Sequence, residues 1–187
     1  MSVGTLRVGI LIASDRAAGG AYPDRGGPAI SDWLTRALSS PWEARTVVVP
    51  DDRDKIASAL REFTDQNRCH LVLTSGGTGP AASDVTPEAT LDVVDKVLPG
   101  FGEQMRSISL AYVPTAILSR QTAGIRAATL IVNLPGQPKA ISEILDELFA
   151  AIPYCIELLG GPFVLTRSEV VCAFRPSSAP PLPTEEA

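Results

Sequence analysis

The hydrophobic pattern of the chain alternates between short apolar runs and longer segments with one apolar face. The run from Leu6 to Ala13 is almost continuously apolar, as expected of a strand that is buried on both faces. Helical spacing is clear in Ile56, Leu60 and Phe63, which recur at i, i+4 and i+7. The whole pattern predicts strands at 6–13, 47–49, 71–74 and 129–132, and helices at 28–40, 55–63, 87–98, 101–112 and 138–149.

Strands that alternate with helices of this length predict an α/β fold, with a parallel sheet and helices on both of its faces. The 187 residues are 45% hydrophobic and only 20% charged, which favours one domain with a single substantial core. We assign that domain to residues 1–175. The stretch 176–187 is rich in proline, serine and glutamate, so it is predicted to be a disordered tail.

Charge and residue usage exclude several classes of function. A net charge of −5 without a basic cluster argues against a nucleic-acid surface. Neither a signal-type opening nor a run of roughly 18 apolar residues is present, so no membrane association is expected and the predicted compartment is the cytoplasm. Cys69, Cys155 and Cys172 are far apart and lack CxxC spacing, which indicates neither disulfides nor zinc. The single histidine, His70, favours a structural role over that of a general base.

A glycine-rich loop, TSGGTGP at 74–80, follows the third predicted strand and precedes a helix. Glycines at a strand-to-helix turn allow bare backbone N–H groups to face an anion. The loop fits the GxGxxG pattern only weakly, because that fingerprint follows the first strand of its unit, and no Walker lysine is present. The loop therefore predicts a phosphate site, and the alternative is a turn that needs glycine only for its positive φ angles.

The residues after the loop suggest a cation. Thr86, Pro87 and Glu88 are predicted to be the N-cap, first-turn proline and first-turn acid of a helix, which leaves Asp84 without a capping role. A carboxylate beside a phosphate usually needs a cation between them, and Mg²⁺ takes oxygen ligands from one or two carboxylates plus substrate phosphates. The sequence thus predicts Mg²⁺ near Asp84.

Polar segments follow each of the four predicted strands, at 14–16, 50–53, 76–84 and 133–138. In a parallel sheet the carboxyl ends of the strands lie along one edge, and ligands bind in the crevice there. The aspartates of the second segment could merely cap the next helix, and the first and last segments could be polar turns. Their convergence beside the glycine loop favours a binding site over four separate turns.

These motifs resemble those of the molybdopterin adenylyltransferases of molybdenum cofactor synthesis, a family that includes the G domain of gephyrin. The resemblance is carried by residues 14–16, 73–80, 84–90, 99–106, 116–120 and 133–139. It implies a three-layer α/β sandwich around a mostly parallel sheet, usually trimeric, that transfers adenylyl from Mg-ATP to molybdopterin and releases pyrophosphate. The chain lacks a longer segment that the family carries between Phe149 and Ile152, which concerns peripheral packing rather than the motif-bearing edge.

The resemblance also implies roles for individual residues. Asp51 and Asp84 would be the catalytic aspartates that hold Mg²⁺ and orient phosphates. The implied nucleotide-binding residues are Ser75, Gly76, Gly77, Thr78, Gly79, Asn133, Leu134, Pro135 and Gly136, and the implied molybdopterin-binding residues are Ser14, Asp15, Ser119 and Arg120. The implied partners are the substrates molybdopterin and ATP, two further copies of the chain, and a transient contact with the molybdenum-inserting enzyme.

Two other functions share this fold. One is a non-catalytic molybdopterin-binding protein of the MoaB type, and the other is a scaffold, as the domain serves within gephyrin. The runs at 101–105 and 116–120 favour the catalytic branch, and the sequence shows no second domain or long linker that would support a scaffold.

Overall fold

A computed structural model describes residues 4–179 and places their strands in one six-stranded sheet. In chain order the strands are β1 Leu6–Ala13, β2 Trp42–Val49, β3 Leu71–Ser75, β4 Lys96–Val97, β5 Ala123–Arg126 and β6 Thr129–Leu134. Their spatial order is β2-β1-β3-β6-β5-β4. Strands β2, β1, β3 and β6 are parallel, whereas β5 pairs antiparallel with both β6 and β4. The prediction of a mostly parallel sheet is confirmed.

The helices connect these strands. They are α1 Asp15–Ala18, α2 Gly26–Ala37, α3 Arg53–Arg61, α4 Thr86–Leu91, α5 Pro99–Leu110, α6 Pro138–Leu148 and α7 Ile152–Leu158. A π-helical turn, Glu62–Gln66, extends α3, and short 3-10 helices form at Pro114–Leu118 and Phe149–Ala151. The second of these joins α6 directly to α7. Along residues 4–179, none of the helices combines the length and apolar character that crossing a bilayer requires.

Helices cover both faces of the sheet, as the alternating pattern predicted. On one face α2, α5, α6 and α7 form a core in which the rings of Trp33 and Phe149 lie 4.8 Å apart. On the other face α3 and α4 pack with Phe63. Because side chains alternate along a strand, Leu71 enters the first core and its neighbour Val72 enters the second. The three-layer α/β architecture is therefore confirmed.

The predicted helix at 87–98 is wrong at its carboxyl end. Helix α4 ends at Leu91, and the chain then turns into the short strand β4. The backbone N–H of Asp95 donates to the carbonyl of Ile125 at 2.7 Å, and its carboxylate accepts from the N–H of Ala127 at 2.7 Å. Pairing with β5, which the sequence pattern did not reveal, decides the conformation of this valine-rich stretch.

Arg175 lies at the end of the last segment that packs on the domain. Its guanidinium donates to the carboxylate of Glu157, which is 4% exposed, and to the carbonyl of Val164 at 2.8 Å. It also lies 3.9 Å from the ring centroid of Phe163. The predicted tail begins directly after this residue; its first part forms a turn in which the N–H of Ala179 donates to Pro176. Residues 180–187 lie outside the described residues.

Deletion of residues 176–187 is expected to leave the melting temperature within about two degrees, because this composition buries too little apolar surface to offset ordering entropy. The matched variant Arg175→Ala should instead lower it by roughly 6–12 °C, since a buried carboxylate that loses its partner costs about 3 kcal/mol. Thermal unfolding followed by circular dichroism measures both changes. A large drop on truncation alone would show that the tail docks on the domain.

Candidate active site

The main polar cleft lies at the carboxyl ends of β1 and β3, where the strand order reverses. In the sheet, β2 lies on one side of β1, and β3 lies on its other side. This is the switch point at which open α/β sheets bind ligands. The cleft has a volume of about 540 Å³ and is lined by residues that follow β1, β2, β3 and β6. The predicted convergence of four polar segments at one sheet edge is observed.

The glycine loop after β3 is held in a conformation that requires glycine. Gly76 and Gly77 have φ angles of +97° and +63°. A Cβ atom on Gly76 would overlap the carbonyl oxygen of Ala13, so the loop passes directly against the end of β1. Ser75 donates its hydroxyl to the carbonyl of Pro135 at 3.1 Å, which fixes the loop to the segment after β6. These contacts fix the start of the loop at the rim of the cleft.

Asp51 lies at the end of the β2 segment and contacts the segment after β1. Its Oδ2 accepts from the backbone N–H of Asp15 at 3.0 Å, and its own N–H donates to Oδ1 of Asp15 at 3.0 Å. Its Oδ1 faces the glycine loop, 3.5 Å from the position of a Cβ on Gly77. Helix α3 is capped instead by Asp52, which accepts from the N–H of Lys55 at 3.0 Å. Helix capping of α3 therefore does not explain Asp51.

Asp84 lies on the other side of the loop. Its Oδ2 accepts from the N–H of Ala81 at 2.9 Å and lies 2.7 Å from the position of a Cβ on Gly79. The two aspartates consequently flank the glycine loop, Asp51 beside Gly77 and Asp84 beside Gly79. Both line the cleft.

The predicted N-cap at Thr86 is wrong. Val85 occupies the N-cap position without a side-chain bond, and Thr86 is the first helical residue, followed by Pro87 and the first-turn acid Glu88. The hydroxyl of Thr86 is buried, faces Gly77, and has no hydrogen-bond partner among the described residues. A buried hydroxyl without a partner is costly. Its position below the loop makes it available to a bound ligand, ion or water.

Asn133 and Leu134 are fully buried at the end of β6 and do not line the cleft. The amide of Asn133 donates to the hydroxyl of Thr74 at 3.1 Å and to that of Thr90 at 2.9 Å, so it ties β6 to β3 and α4 beneath the loop. Gly136 is exposed and lines the cleft. The structure thus separates this predicted segment into a buried support and an exposed rim.

Ser14 and Asp15 line the cleft, and the hydroxyl of Ser14 accepts from the N–H of Ala17 as the N-cap of α1. Ser119 and Arg120 are not among its lining residues. The hydroxyl of Ser119 donates to the side chain of Gln121 at 2.8 Å. Arg120 contacts the glycine loop from outside the cleft, through the carbonyl of Gly79 at 2.8 Å.

Sequence reasoning gave no role to two arginines of the cleft. Arg16 and Arg25 lie over the ring of Tyr22, at 5.7 and 5.1 Å from its centroid. Neither guanidinium forms an ion pair within residues 4–179. The sequence carries only the glycine pair at 26–27 as a signal; in the structure helix α2 begins at Gly26, and a Cβ there would lie 2.6 Å from the hydroxyl of Ser75. This close approach brings the 22–26 segment, which lines the cleft, against the end of β3.

His70 and the buried thiols do not belong to this chemistry. His70 precedes β3, at the edge of the sheet opposite the cleft, and its Nδ1 accepts from the N–H of Arg7 at 3.0 Å. Burial, with the charge of Arg7, lowers the pKa of His70 to about 4. Burial raises the pKa of the Cys69 thiol to about 11 and also raises that of Cys155. These groups are therefore a neutral imidazole and two protonated thiols near pH 7.

The donor set suits a hard cation that takes part of its ligands from a substrate. Within residues 4–179, no group of three or more acidic, histidine or cysteine side chains could hold an ion alone. Two carboxylates beside a phosphate loop are what Mg²⁺ uses, because it completes its octahedron with phosphate oxygens and water. The unpartnered Thr86 hydroxyl adds a further oxygen under the same loop. The residues present fit Mg²⁺ carried with a phosphorylated substrate.

The fold and the cleft define an α/β protein with a polar cleft at its switch point, lined by a glycine loop and two aspartates that suit an anionic ligand. Residues 9–154 match the family model described as "Probable molybdopterin binding domain", and the chain belongs to this family. It is 56% identical to the molybdopterin adenylyltransferase of Escherichia coli K12, over 94% of this chain and 96% of that protein.

Solved structures agree on the fold. The molybdopterin biosynthesis enzyme MoaB of Thermus thermophilus superposes with a TM-score of 0.77 at 41% identity, covering 84% of this chain and 99% of that one. The molybdopterin biosynthesis Mog protein of Mycobacterium ulcerans gives a TM-score of 0.74 at 40% identity, over 82% and 99% of the two chains. The predicted family and fold are confirmed.

Proposed function

We propose that the protein transfers the adenylyl group of ATP to the terminal phosphate of molybdopterin, giving adenylyl-molybdopterin and pyrophosphate. The 56% identity to a molybdopterin adenylyltransferase over nearly the whole chain carries this proposal. The cleft supports it, since a glycine loop flanked by Asp51 and Asp84 suits phosphate substrates.

The reaction needs no side-chain nucleophile. An oxygen of the pterin phosphate forms a bond to the α-phosphorus of ATP, and the bond from that phosphorus to the bridging oxygen of the β-phosphate breaks. Pyrophosphate leaves with the electron pair. Because the attacking oxygen is already anionic, catalysis depends on positioning and on charge neutralisation. Positioning alone can contribute about 7–11 kcal/mol.

The residues of the cleft divide this work. The N–H groups of the glycine loop and of Gly136 at the rim would bind the nucleotide phosphates, and Pro135 would support the loop through the bond that its carbonyl accepts from Ser75. Ser14 and Asp15 would contact the pterin on the β1 side of the loop. Asn133 and Leu134 would act by supporting the loop from below.

Asp51 and Asp84 would hold Mg²⁺ against the phosphates. The ion, when bound, would neutralise charge on the phosphate oxygens. Arg16 and Arg25 line the cleft but were not among the predicted site residues. Their guanidinium groups would compensate the remaining negative charge of the polyphosphate.

Incubation of the protein with molybdopterin and Mg-ATP, followed by mass spectrometry, tests the function directly. The expected product is adenylylated molybdopterin together with pyrophosphate. Binding of the pterin without this product would instead support the MoaB-type binding protein, which the fold alone does not distinguish.

The assembly is proposed to be a homotrimer. Apolar side chains cluster at the end of α5 and in the following 3-10 helix: Leu110, Tyr112, Val113, Ile117 and Leu118 are between 46% and 70% exposed. Clustered exposed apolar residues mark interaction surfaces. Cytoplasmic location remains a prediction from the hydrophobic pattern of the sequence, and contact with the molybdenum-inserting enzyme remains a prediction from the family resemblance.

Light scattering is expected to give a mass about three times the 19.7 kDa of the chain. Ile117→Glu should dissociate the assembly, because a charge in an apolar interface is strongly unfavourable. Leu158→Glu is the matched control, since Leu158 is 67% exposed and Ile117 is 70% exposed, but Leu158 lies on α7. A monomeric parent protein at micromolar concentration would contradict the proposal.

A further inference from the structure

Arg120 binds three different parts of the segment that carries the glycine loop and Asp84. Its Nε donates to the carbonyl of Gly79 at 2.8 Å, one terminal nitrogen donates to the carbonyl of Asp84, and the other donates to the carboxylate of Glu88. Its backbone N–H donates to the carbonyl of Thr78 at 2.9 Å. Three of the five N–H donors of a guanidinium are thus used on this one segment.

The ion pair with Glu88 lies in a half-buried environment. The side chain of Arg120 is 38% exposed and that of Glu88 is 35% exposed. Burial by itself would raise the pKa of Glu88, but the hydrogen bond and charge of Arg120 hold it below its ordinary value. The carboxylate therefore stays ionised near pH 7, and charge-assisted bonds of this kind are roughly twice as strong as neutral ones.

The segment that Arg120 braces has little internal support. Between Gly76 and Asp84 the chain contains three glycines, and its own bonds are the turn in which Asp84 and Ala81 exchange hydrogen bonds. Glycine-rich backbone is intrinsically mobile. The bonds from Arg120, which follows the Pro114–Leu118 helix, fix this segment to a separate part of the fold.

We propose that Arg120 is a positioning residue, which holds the glycine loop and the Asp84 carboxylate in place from outside the cleft rather than binding the pterin. Its kinetic consequence rests on the proposed adenylyl transfer. Its structural consequence, a loop that opens more readily when Arg120 is absent, does not depend on the reaction. Lysine cannot replace it, because one ammonium group cannot satisfy three divergent acceptors.

Amide hydrogen exchange tests the structural part without any substrate. Arg120→Ala and Arg120→Lys should raise exchange roughly tenfold at the amides of Ala81, Asp84 and Thr86, because local opening becomes easier. Arg53→Ala is the matched control: Arg53 pairs with Asp92 at the other end of α4, at 2.6 and 2.7 Å, and its guanidinium forms no hydrogen bond with the loop. It should leave exchange at these amides unchanged.

Kinetics and binding test the positioning role. Arg120→Ala should lower kcat by roughly thirtyfold or more while the Kd for molybdopterin stays within about threefold. Glu88→Gln, which keeps the shape and removes the charge, should show a smaller effect of the same kind. When Arg120→Ala is added to the Asp84→Asn variant, kcat should fall by less than about a further threefold. The effects of two residues that act through the same group are not additive.

The proposal fails if Arg120→Ala weakens molybdopterin binding roughly tenfold or more while loop exchange stays at the parent level, which would indicate direct contact with the pterin. Should Arg120→Ala be too unstable to study, Arg120→Lys and Glu88→Gln carry the same tests. A parent protein that makes no adenylylated pterin would overturn the proposed function, and the exchange experiment would still decide whether Arg120 holds the loop.

Discussion

Asp84→Asn and Asp51→Asn are each expected to lower the rate of adenylyl transfer by at least about a hundredfold, or roughly 2.7 kcal/mol in barrier. Asparagine keeps the size of the side chain but removes the charge that a hard cation requires. In the structure one oxygen of Asp51 already binds the N–H of Asp15, and an asparagine oxygen can keep that bond. The second oxygen faces the glycine loop, and there the variant would present an N–H donor instead.

The melting temperature of both variants should stay within a few degrees of the parent, because the backbone contacts of each side chain need only one acceptor oxygen. Asp52→Asn is the matched control, since Asp52 caps α3 and asparagine caps a helix about as well as aspartate. If the Asp51 and Asp84 variants bind pterin and turn over ATP within about threefold of the parent, less than roughly 0.7 kcal/mol, neither carboxylate serves the chemistry.

The central strands could be predicted because strands in a buried environment have a recognisable apolar sequence. Strands β1, β3 and β6 are buried on both faces and read as apolar runs. Once these strands were placed, the rule for parallel sheets brought the segments 14–16, 50–53, 76–84 and 133–138 to one edge, and residues from each of them line the cleft.

The antiparallel edge of the sheet could not be predicted in this way. Strands β4 and β5 are two and four residues long, and their residues carry no apolar alternation. They exist because each finds a partner: Lys96 pairs with Ile125, and Arg126 pairs with Thr129. Local sequence therefore favoured a longer α4, whereas tertiary pairing decided the outcome.

The orientation of individual side chains marks the limit of the site prediction. Asn133 and Gly136 belong to one polar segment, yet the first is fully buried and the second is exposed at the rim. Arg25, outside the four predicted segments, lies in the cleft beside Arg16 through a shared contact with Tyr22, which no local spacing reveals. A sequence pattern indicates which segments meet, and three-dimensional packing decides which atoms face the ligand.

Gly77→Val is expected to abolish nucleotide binding while the protein still folds. Valine at the φ of +63° that Gly77 adopts is strained, and its Cβ would overlap the buried hydroxyl of Thr86. The cost of a strained non-glycine backbone is about 1–3 kcal/mol, which lowers the melting temperature of a chain of this size by roughly 2–12 °C. The same change moves the loop N–H groups away from the phosphates, so affinity for ATP should fall at least about tenfold, or roughly 1.4 kcal/mol.

Gly160→Val separates the two contributions. Gly160 also has a positive φ, +81°, but no atom lies within 4 Å of its Cβ position, and it follows α7, which does not line the cleft. This control should lose stability from backbone strain alone and keep the ATP affinity of the parent. Calorimetric titration with Mg-ATP and thermal unfolding of the two variants give the comparison. Unchanged ATP affinity in folded Gly77→Val would mean that the glycines form only a turn, because a loop whose N–H groups bind phosphate cannot tolerate that displacement.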